Sequence, residues 1–157
     1  MIPEHLISRE CPTDFNPNVI ASGCCIIYEN KILLLKRHPD KPQGDTWGVP
    51  GGKMELNEST RECAIRETHE EAGVDIDDDE LKFMGTLYCS VPNGDTPFSY
   101  VFHLFQKILK ALPVLSIGLE EHMEGSWFTL EEAYNLPLIN GGKEVLDYYA
   151  ESLILNP

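Results

Sequence analysis

The sequence lacks the features that mark disulfide-stabilised proteins, zinc ribbons and membrane proteins. Its five cysteines are an odd number and include no C-x-x-C pair, so neither a disulfide framework nor a zinc ribbon is predicted. No apolar stretch approaches the roughly 18 residues that a membrane span needs, and the N-terminus has no basic segment followed by an apolar one. We therefore expect a protein without a membrane partner in a reducing compartment, the cytoplasm.

Basic residues are also scarce, because 12 Lys and Arg stand against 26 Asp and Glu and give a formal net charge of -14. Such a balance repels phosphate backbones and anionic lipid head groups. We expect no stable binding to nucleic acid. If the substrate is itself an anion, bound cations and a few placed Lys or Arg residues must supply the positive charge.

The length of 157 residues and an apolar content of 42% suit one ordinary domain. Residues 1–18 contain three prolines and no periodicity, which predicts an irregular leader, with residues 19–157 forming the single domain. Two β-type runs, at 19–28 and 31–37, predict a hairpin that turns at Glu29-Asn30. Further strand patterns at 81–90 and 98–108 and helix patterns at 129–136 and 142–153 predict a mixed α/β domain.

The clearest helix pattern covers residues 57–73, with Asn57 as its expected N-cap and Gly73 as its left-handed stop. Within it Glu67, Glu70 and Glu71 fall at i, i+3 and i+4, so their carboxylates share one face of the helix. Oxygen ligands of this kind suit Mg²⁺, with Mn²⁺ as a substitute. A solvated acidic face is the alternative, and the spacing alone does not decide between the two.

The residues around this helix agree with a metal site. Gly51 and Gly52 allow the backbone to approach a ligand closely and to direct a free carbonyl at a metal. Arg66 lies four residues from both Glu62 and Glu70, so it can orient the Glu70 carboxylate or form a simple helix salt bridge.

The segment from Gly52 to Val74 resembles the G-x5-E-x7-R-E-U-x-E-E-x-G-U box of the Nudix hydrolases, where U is a bulky apolar residue. Every glycine and charged position matches, and Thr68 is the one departure, at a packing position. The spacing of residues 37–52 and of EHMEGSWF resembles the MutT-like branch of the family. The resemblance, over about residues 19–153, implies a Nudix fold, an α/β/α sandwich with a mixed β-sheet.

The resemblance also implies further site residues. Glu121, six positions before Trp127, carries over as a metal ligand, with Glu120 and Glu124 as rivals. Arg37 and Lys53 are candidates to bind a substrate phosphate, and a surface cation is the alternative for each. Trp47 and Asn140 are candidates to border the base pocket. A helix N-cap explains Asn140 equally well.

The function implied is a Mg²⁺-dependent diphosphohydrolase acting on a small-molecule nucleotide, with a nucleoside triphosphate favoured over ADP-ribose or a nucleotide sugar. Glu67, Glu71 and Glu121 are all candidate general bases, and Arg66 supports them. A nucleotide-sensing module without turnover is the second hypothesis. The complete set of Glu67, Glu70 and Glu71 argues against it, because such a module does not need all of these metal ligands. A prenyl diphosphate isomerase is a third, and no placed cysteine supports it. A homodimer is left open as an assembly.

Overall fold

The computed structural model describes residues 5–155. Its strands are β1 (Leu6–Ser8), β2 (Val19–Tyr28), β3 (Lys31–Arg37), β4 (Trp47–Gly48), β5 (Gly51–Lys53), β6 (Lys82–Val91), β7 (Phe98–Ile108) and β8 (His122–Phe128). Its helices are α1 (Thr60–Ala72), α2 (Leu130–Tyr134) and α3 (Gly142–Leu155), and a short 3₁₀ turn covers Asp78–Glu80. No helix in this part of the chain is both long and apolar enough to cross a membrane.

The eight strands form one mixed sheet in the order β1-β6-β7-β2-β3-β4, with β5 beside β2 and β8 beside β3. Strand β2 runs parallel to β7 and antiparallel to β3. The β2–β3 hairpin turns at Glu29 and Asn30, both at positive φ, as in the two-residue turns that match strand twist. Strand β2 pairs with β5 over Ala21–Gly23 but with β3 only at Ile27–Tyr28. The sheet therefore divides between β5 and β3, and the candidate site lies beside this division.

Helices cover both faces of the sheet, as expected for an α/β/α sandwich. Side chains alternate along β2, because successive residues of a strand point to opposite faces. Cys24 and Ile26 pack with Ala64 and Ala72 of α1. Cys25 and Ile27 belong to a second core cluster with Val145, Leu146 and Tyr149 of α3. The small residues on one side of α1 thus allow that helix to lie close to the sheet.

Two expectations about local structure were wrong. Part of the leader that we expected to be irregular is strand β1, which pairs antiparallel with Ser90, Cys89 and Tyr88 of β6; residues 1–4 lie outside the described residues. The N-cap of α1 is Ser59, not Asn57: the Ser59 hydroxyl accepts from the Glu62 N–H, and the Glu62 carboxylate accepts from the Ser59 N–H. Asn57 instead takes a left-handed turn with φ 64°. Gly73 ends the helix with φ 71°, as expected.

Candidate active site

The Arg66 guanidinium is the centre of one half of the site. Its Nε donates to Glu58 Oε2 at 2.6 Å, its Nη1 to Glu67 Oε1 at 2.9 Å and to Glu70 Oε2 at 3.2 Å, and its Nη2 to the Lys53 carbonyl at 3.0 Å. The guanidinium hydrogen bond lowers the pKa of Glu58 to about 2. Arg66 thus holds Glu70, as expected, and also fixes Glu58 and Glu67 against the end of β5.

Glu71 lies deeper than the other two carboxylates of the predicted set. It is buried, Glu67 is partly buried and Glu70 is exposed. Its Oε1 accepts a 2.7 Å hydrogen bond from the Gly51 N–H. Burial raises the pKa of Glu71 to about 8, the Gly51 hydrogen bond opposes the rise, and the nearby Glu67 and Glu121 add to it. A buried carboxylate among other carboxylates needs either a proton or a cation.

Glu121 and His122 enter the site from the start of β8. In the described residues, ligand atoms of Glu71, Glu121 and His122 lie within 4.8 Å of one another. The segment before β8 follows the end of α1, because the Gly118 N–H donates to the Glu71 carbonyl. His38 of the neighbouring loop donates its N–H to the Glu121 carbonyl at 2.7 Å. Tertiary contacts therefore bring Glu121 to the α1 carboxylates from 50 residues farther along the chain.

The two glycines before the helix fit a closely packed cation site. A Cβ at Gly52 would lie 2.6 Å from the Glu67 carboxyl carbon, so the helix carboxylate rests directly on this backbone. A Cβ at Gly51 would lie 2.7 Å from the Ser22 carbonyl oxygen. The oxygen-rich donor set suits a divalent cation such as Mg²⁺. His122 adds a buried Nδ1 that has no hydrogen-bond partner in the described chain.

A cavity of about 240 Å³ extends from this site across the sheet face that α3 covers. It is lined by alternate residues of β7, Phe98, Tyr100 and Phe102, by residues 138–142, and by Val145 and Leu146 of α3. Arg37, Gly51, Gly52, Lys53 and His122 also line it. An apolar cavity with a few polar groups at one end is typical of a small-molecule site.

The NUDIX domain profile matches residues 17–149. The chain belongs to the Nudix family. It is 31% identical over 127 residues, 81% of this chain and 76% of the relative, to the "Uncharacterized Nudix hydrolase YvcI" of Bacillus subtilis. It is 30% identical over 112 residues to a Mycobacterium tuberculosis protein provisionally named 8-oxo-dGTP diphosphatase 3; that match covers 70% of this chain and 49% of the relative.

Solved structures share the Nudix fold. The NUDIX domain of Shewanella oneidensis NrtR, complexed with ADP ribose, superposes with a TM-score of 0.73 at 17% identity, covering 92% of this chain and 94% of that one. A MutT NUDIX hydrolase from Burkholderia pseudomallei gives 0.71 at 21% identity, with 85% and 98% covered. These superpositions confirm the predicted MutT-like Nudix fold. The prediction of a Nudix hydrolase is confirmed by the domain profile and by the 31% identical relative.

The remaining predicted residues lie around the cavity in different ways. Trp47 is 7% exposed and packs edge-to-face on Phe128 with ring centroids 5.0 Å apart, so its role in the core is established while it also lines the cavity. Arg37 Nε donates to the Pro42 carbonyl at 2.9 Å, and its Nη1 lies 3.8 Å from Glu121 Oε2. Lys53 is exposed at the end of β5.

Asn140 lines the cavity and is not the N-cap of α3. The helix begins at Gly142, and the carbonyl that accepts its first-turn bond from Val145 belongs to Gly141. The Asn140 N–H donates to Gln43 Oε1 at 2.6 Å. This bond ties the residue to the loop before β4.

Sequence reasoning missed three features of the site. His122 directly follows Glu121, and a histidine beside a candidate ligand was a signal that could have found it. The alternation of aromatic residues at 98, 100 and 102 is a period-two pattern that marks one face of a strand. Apart from the match of Glu58 to the glutamate of the Nudix box, nothing in the sequence indicated its hydrogen bonds to Arg66.

Proposed function

We propose that this chain is a Mg²⁺-dependent Nudix hydrolase that cleaves a nucleoside triphosphate to the nucleoside monophosphate and pyrophosphate. The observation that carries the proposal is the continuity between the apolar cavity and the carboxylate cluster, since His122 belongs to both and Gly51, which also lines the cavity, donates its N–H to Glu71. A base in the cavity would direct its phosphates toward the carboxylates. The relative named for 8-oxo-dGTP supports this substrate class.

Gly51, Gly52, Glu67, Glu70, Glu71 and Glu121 would hold the cation, with Mn²⁺ as a substitute for Mg²⁺. When bound, such a cation neutralises phosphate charge and lowers the pKa of an attacking water. In the reaction a water oxygen bonds to phosphorus, the bridging P–O bond breaks with its electrons going to pyrophosphate, and a carboxylate takes the water proton. Glu67, Glu71 and Glu121 remain the candidate acceptors, and Arg66 orients Glu67 and Glu70.

Positive charge for the phosphates would come from Arg37 and Lys53. Arg37 is anchored through Nε to the Pro42 carbonyl, which leaves its terminal nitrogens able to donate to a phosphate. Lys53 directly follows the two glycines in β5 and also lines the cavity. Both side chains are positively charged, so they would attract an anionic substrate that the net charge of -14 would otherwise repel.

ADP-ribose or a nucleotide sugar is the second candidate substrate, because the NUDIX domain of NrtR was solved with ADP ribose. A turnover assay with dGTP, ATP, CTP, ADP-ribose and UDP-glucose in Mg²⁺ separates the candidates. We expect a purine triphosphate to have the highest kcat/KM. If release of AMP from ADP-ribose is the fastest reaction, the substrate belongs to the second class, ADP-ribose or a nucleotide sugar. If no compound is turned over, a nucleotide-sensing module is favoured.

Recognition of the base is tested at Asn140, whose amide can both donate to and accept from a purine edge. We expect Asn140→Ala to reduce kcat/KM for the preferred purine triphosphate by about 1 to 3 kcal/mol in transition-state stabilisation, because the base loses a paired polar contact. The reaction with CTP should change little.

The control for this variant is Asn135→Ala, because Asn135 is exposed and its amide donates to the Glu131 carbonyl rather than to the cavity. Equal losses for purine and pyrimidine substrates in Asn140→Ala would mean that the residue supports the loop and does not read the base. No loss for either would move base recognition elsewhere in the cavity.

A further inference from the structure

His122 carries a buried nitrogen that the described part of the chain does not satisfy. Its side chain is 7% exposed, and its Nδ1 has no hydrogen-bond partner. A buried polar atom of this kind costs free energy unless a ligand satisfies it. The position of Nδ1 therefore points to a group that binds there.

The unpartnered nitrogen faces carboxylates. His122 Nδ1 lies 3.5 Å from Glu71 Oε2, which is within ion-pair range but does not form a hydrogen bond. Glu121 supplies a further oxygen within 4.8 Å. Two donors that bind one metal ion at about 2.0 to 2.2 Å each lie about 3 to 4 Å from one another. The pair thus has the separation of ligands to a shared ion.

The backbone holds His122 in this position from two sides. The residue pairs with Arg37 across β3 and β8, at an irregularity between Lys36 and Arg37. Its N–H donates to the Gly118 carbonyl, and Gly118 is itself bonded to the Glu71 carbonyl. The imidazole and the Glu71 carboxylate are therefore connected through a short, bonded stretch of backbone.

The donor types at this position differ from those of the rest of the site. Glu67 and Glu70 offer oxygen only, which suits Mg²⁺. An imidazole nitrogen beside two carboxylates suits divalent transition metals such as Co²⁺ and Zn²⁺.

We infer that Glu71, Glu121 and His122 form a mixed nitrogen and oxygen site for a divalent transition-metal ion, next to the oxygen-only part of the site. The inference rests on the proposed function in one respect, that Glu71 and Glu121 are metal ligands. It adds a histidine ligand and a second class of cation. Mg²⁺ should bind almost independently of His122, whereas Zn²⁺ should depend on it.

The test measures metal binding and not catalysis. The full chain, labelled with ¹⁵N in its histidine rings, is titrated with Zn²⁺ while the ring nitrogens are followed by NMR, and Zn²⁺ and Mg²⁺ affinities are measured by competition with a chelating dye. We expect Zn²⁺ to shift the His122 Nδ1 resonance. His122→Gln should weaken Zn²⁺ binding at least about tenfold and Mg²⁺ binding less than about threefold.

His103→Gln is the matched control, because His103 is a partly buried histidine on β7 that bonds to Thr86 Oγ1 and lies outside the cluster. It should leave Zn²⁺ binding unchanged. If His122→Gln fails to fold, a variant with Gln at the other four histidines isolates the His122 signal, because His122 is then the one imidazole in the chain.

The outcomes separate this inference from the proposed function. An Nδ1 resonance that does not move with Zn²⁺, or equal losses of Zn²⁺ and Mg²⁺ affinity in His122→Gln, would overturn the nitrogen ligand even if nucleotide hydrolysis in Mg²⁺ proceeds. A shifted Nδ1 resonance together with no hydrolysis of the nucleotide panel would support the metal site and contradict the proposed activity.

Discussion

Gly51 and Gly52 are adjacent residues, but a Cβ added to each would face a different part of the molecule. A Cβ at Gly52 would meet the end of the Glu67 side chain, which can rotate away, whereas a Cβ at Gly51 would meet the Ser22 carbonyl and the Gly23 Cα, which cannot. Gly52→Ala should therefore lower kcat at least about tenfold by displacing a carboxylate, with little change in Tm. Gly51→Ala should lower the Tm itself.

Thermal unfolding followed by circular dichroism, together with a turnover assay on both variants, checks this contrast. The two substitutions add the same methyl group to neighbouring residues, so each serves as the control of the other. A large loss of Tm in Gly52→Ala with normal kcat would show that the backbone and not Glu67 yields to the new side chain.

Glu71 is the most buried carboxylate of the predicted metal set, whereas Glu70 is as exposed as Glu121. We expect Glu71→Gln and Glu70→Gln each to lower kcat by at least about 10³, because each removes a negative ligand from the same cation site. The amide has nearly the same shape, so the fold should survive. Steady-state kinetics with circular dichroism as the control decides, and more than a tenth of normal activity in both variants would contradict the assignment.

At the scale of elements, the N-terminus of α1 positions Glu67, Glu70 and Glu71. Ser59 begins the helix with a reciprocal pair of hydrogen bonds to Glu62, and Ser59→Ala should reduce the free energy of unfolding by about 1 kcal/mol. Asn57→Gly is the control, since Asn57 has φ 64° and glycine takes this conformation without strain. Urea unfolding of both variants measures the difference. A larger loss in Asn57→Gly would assign the cap to the residue that the sequence pattern favoured.

At the scale of the whole molecule, the net charge of -14 and the buried Glu71 carboxylate lead us to expect that bound cations stabilise the folded chain. A ligand that binds the native state alone stabilises it by mass action. We expect Mg²⁺ or Mn²⁺ to raise the Tm and to be required for turnover, and a chelator to abolish both effects. NaCl at matched ionic strength controls for charge screening. Full turnover in excess chelator, with a metal-free protein verified by elemental analysis, would contradict the mechanism.

The part of the site that lies on α1 could be predicted from the sequence, because its geometry depends only on residues that are close together in the chain. Helix periodicity places Glu67, Glu70 and Glu71 on one face, and a left-handed glycine ends the helix at Gly73, so these positions follow from the 3.6-residue repeat and from backbone sterics. Asn57 and Ser59 both suit an N-cap, so the sequence pattern does not distinguish them, and the prediction of Asn57 was wrong. Only the observed backbone angles distinguish them.

The amino-acid sequence by itself determined the family, the mixed α/β class and the carboxylate helix, because these depend on short-range patterns and on a box of fixed spacing. The tertiary structure decided which distant groups meet. It paired β8 with β3, so that His122 lies opposite Arg37, and it brought the β7 aromatics and residues 138–142 to the same cavity. Pairing of strands far apart in sequence depends on the packing of the whole sheet, and no local pattern specifies it.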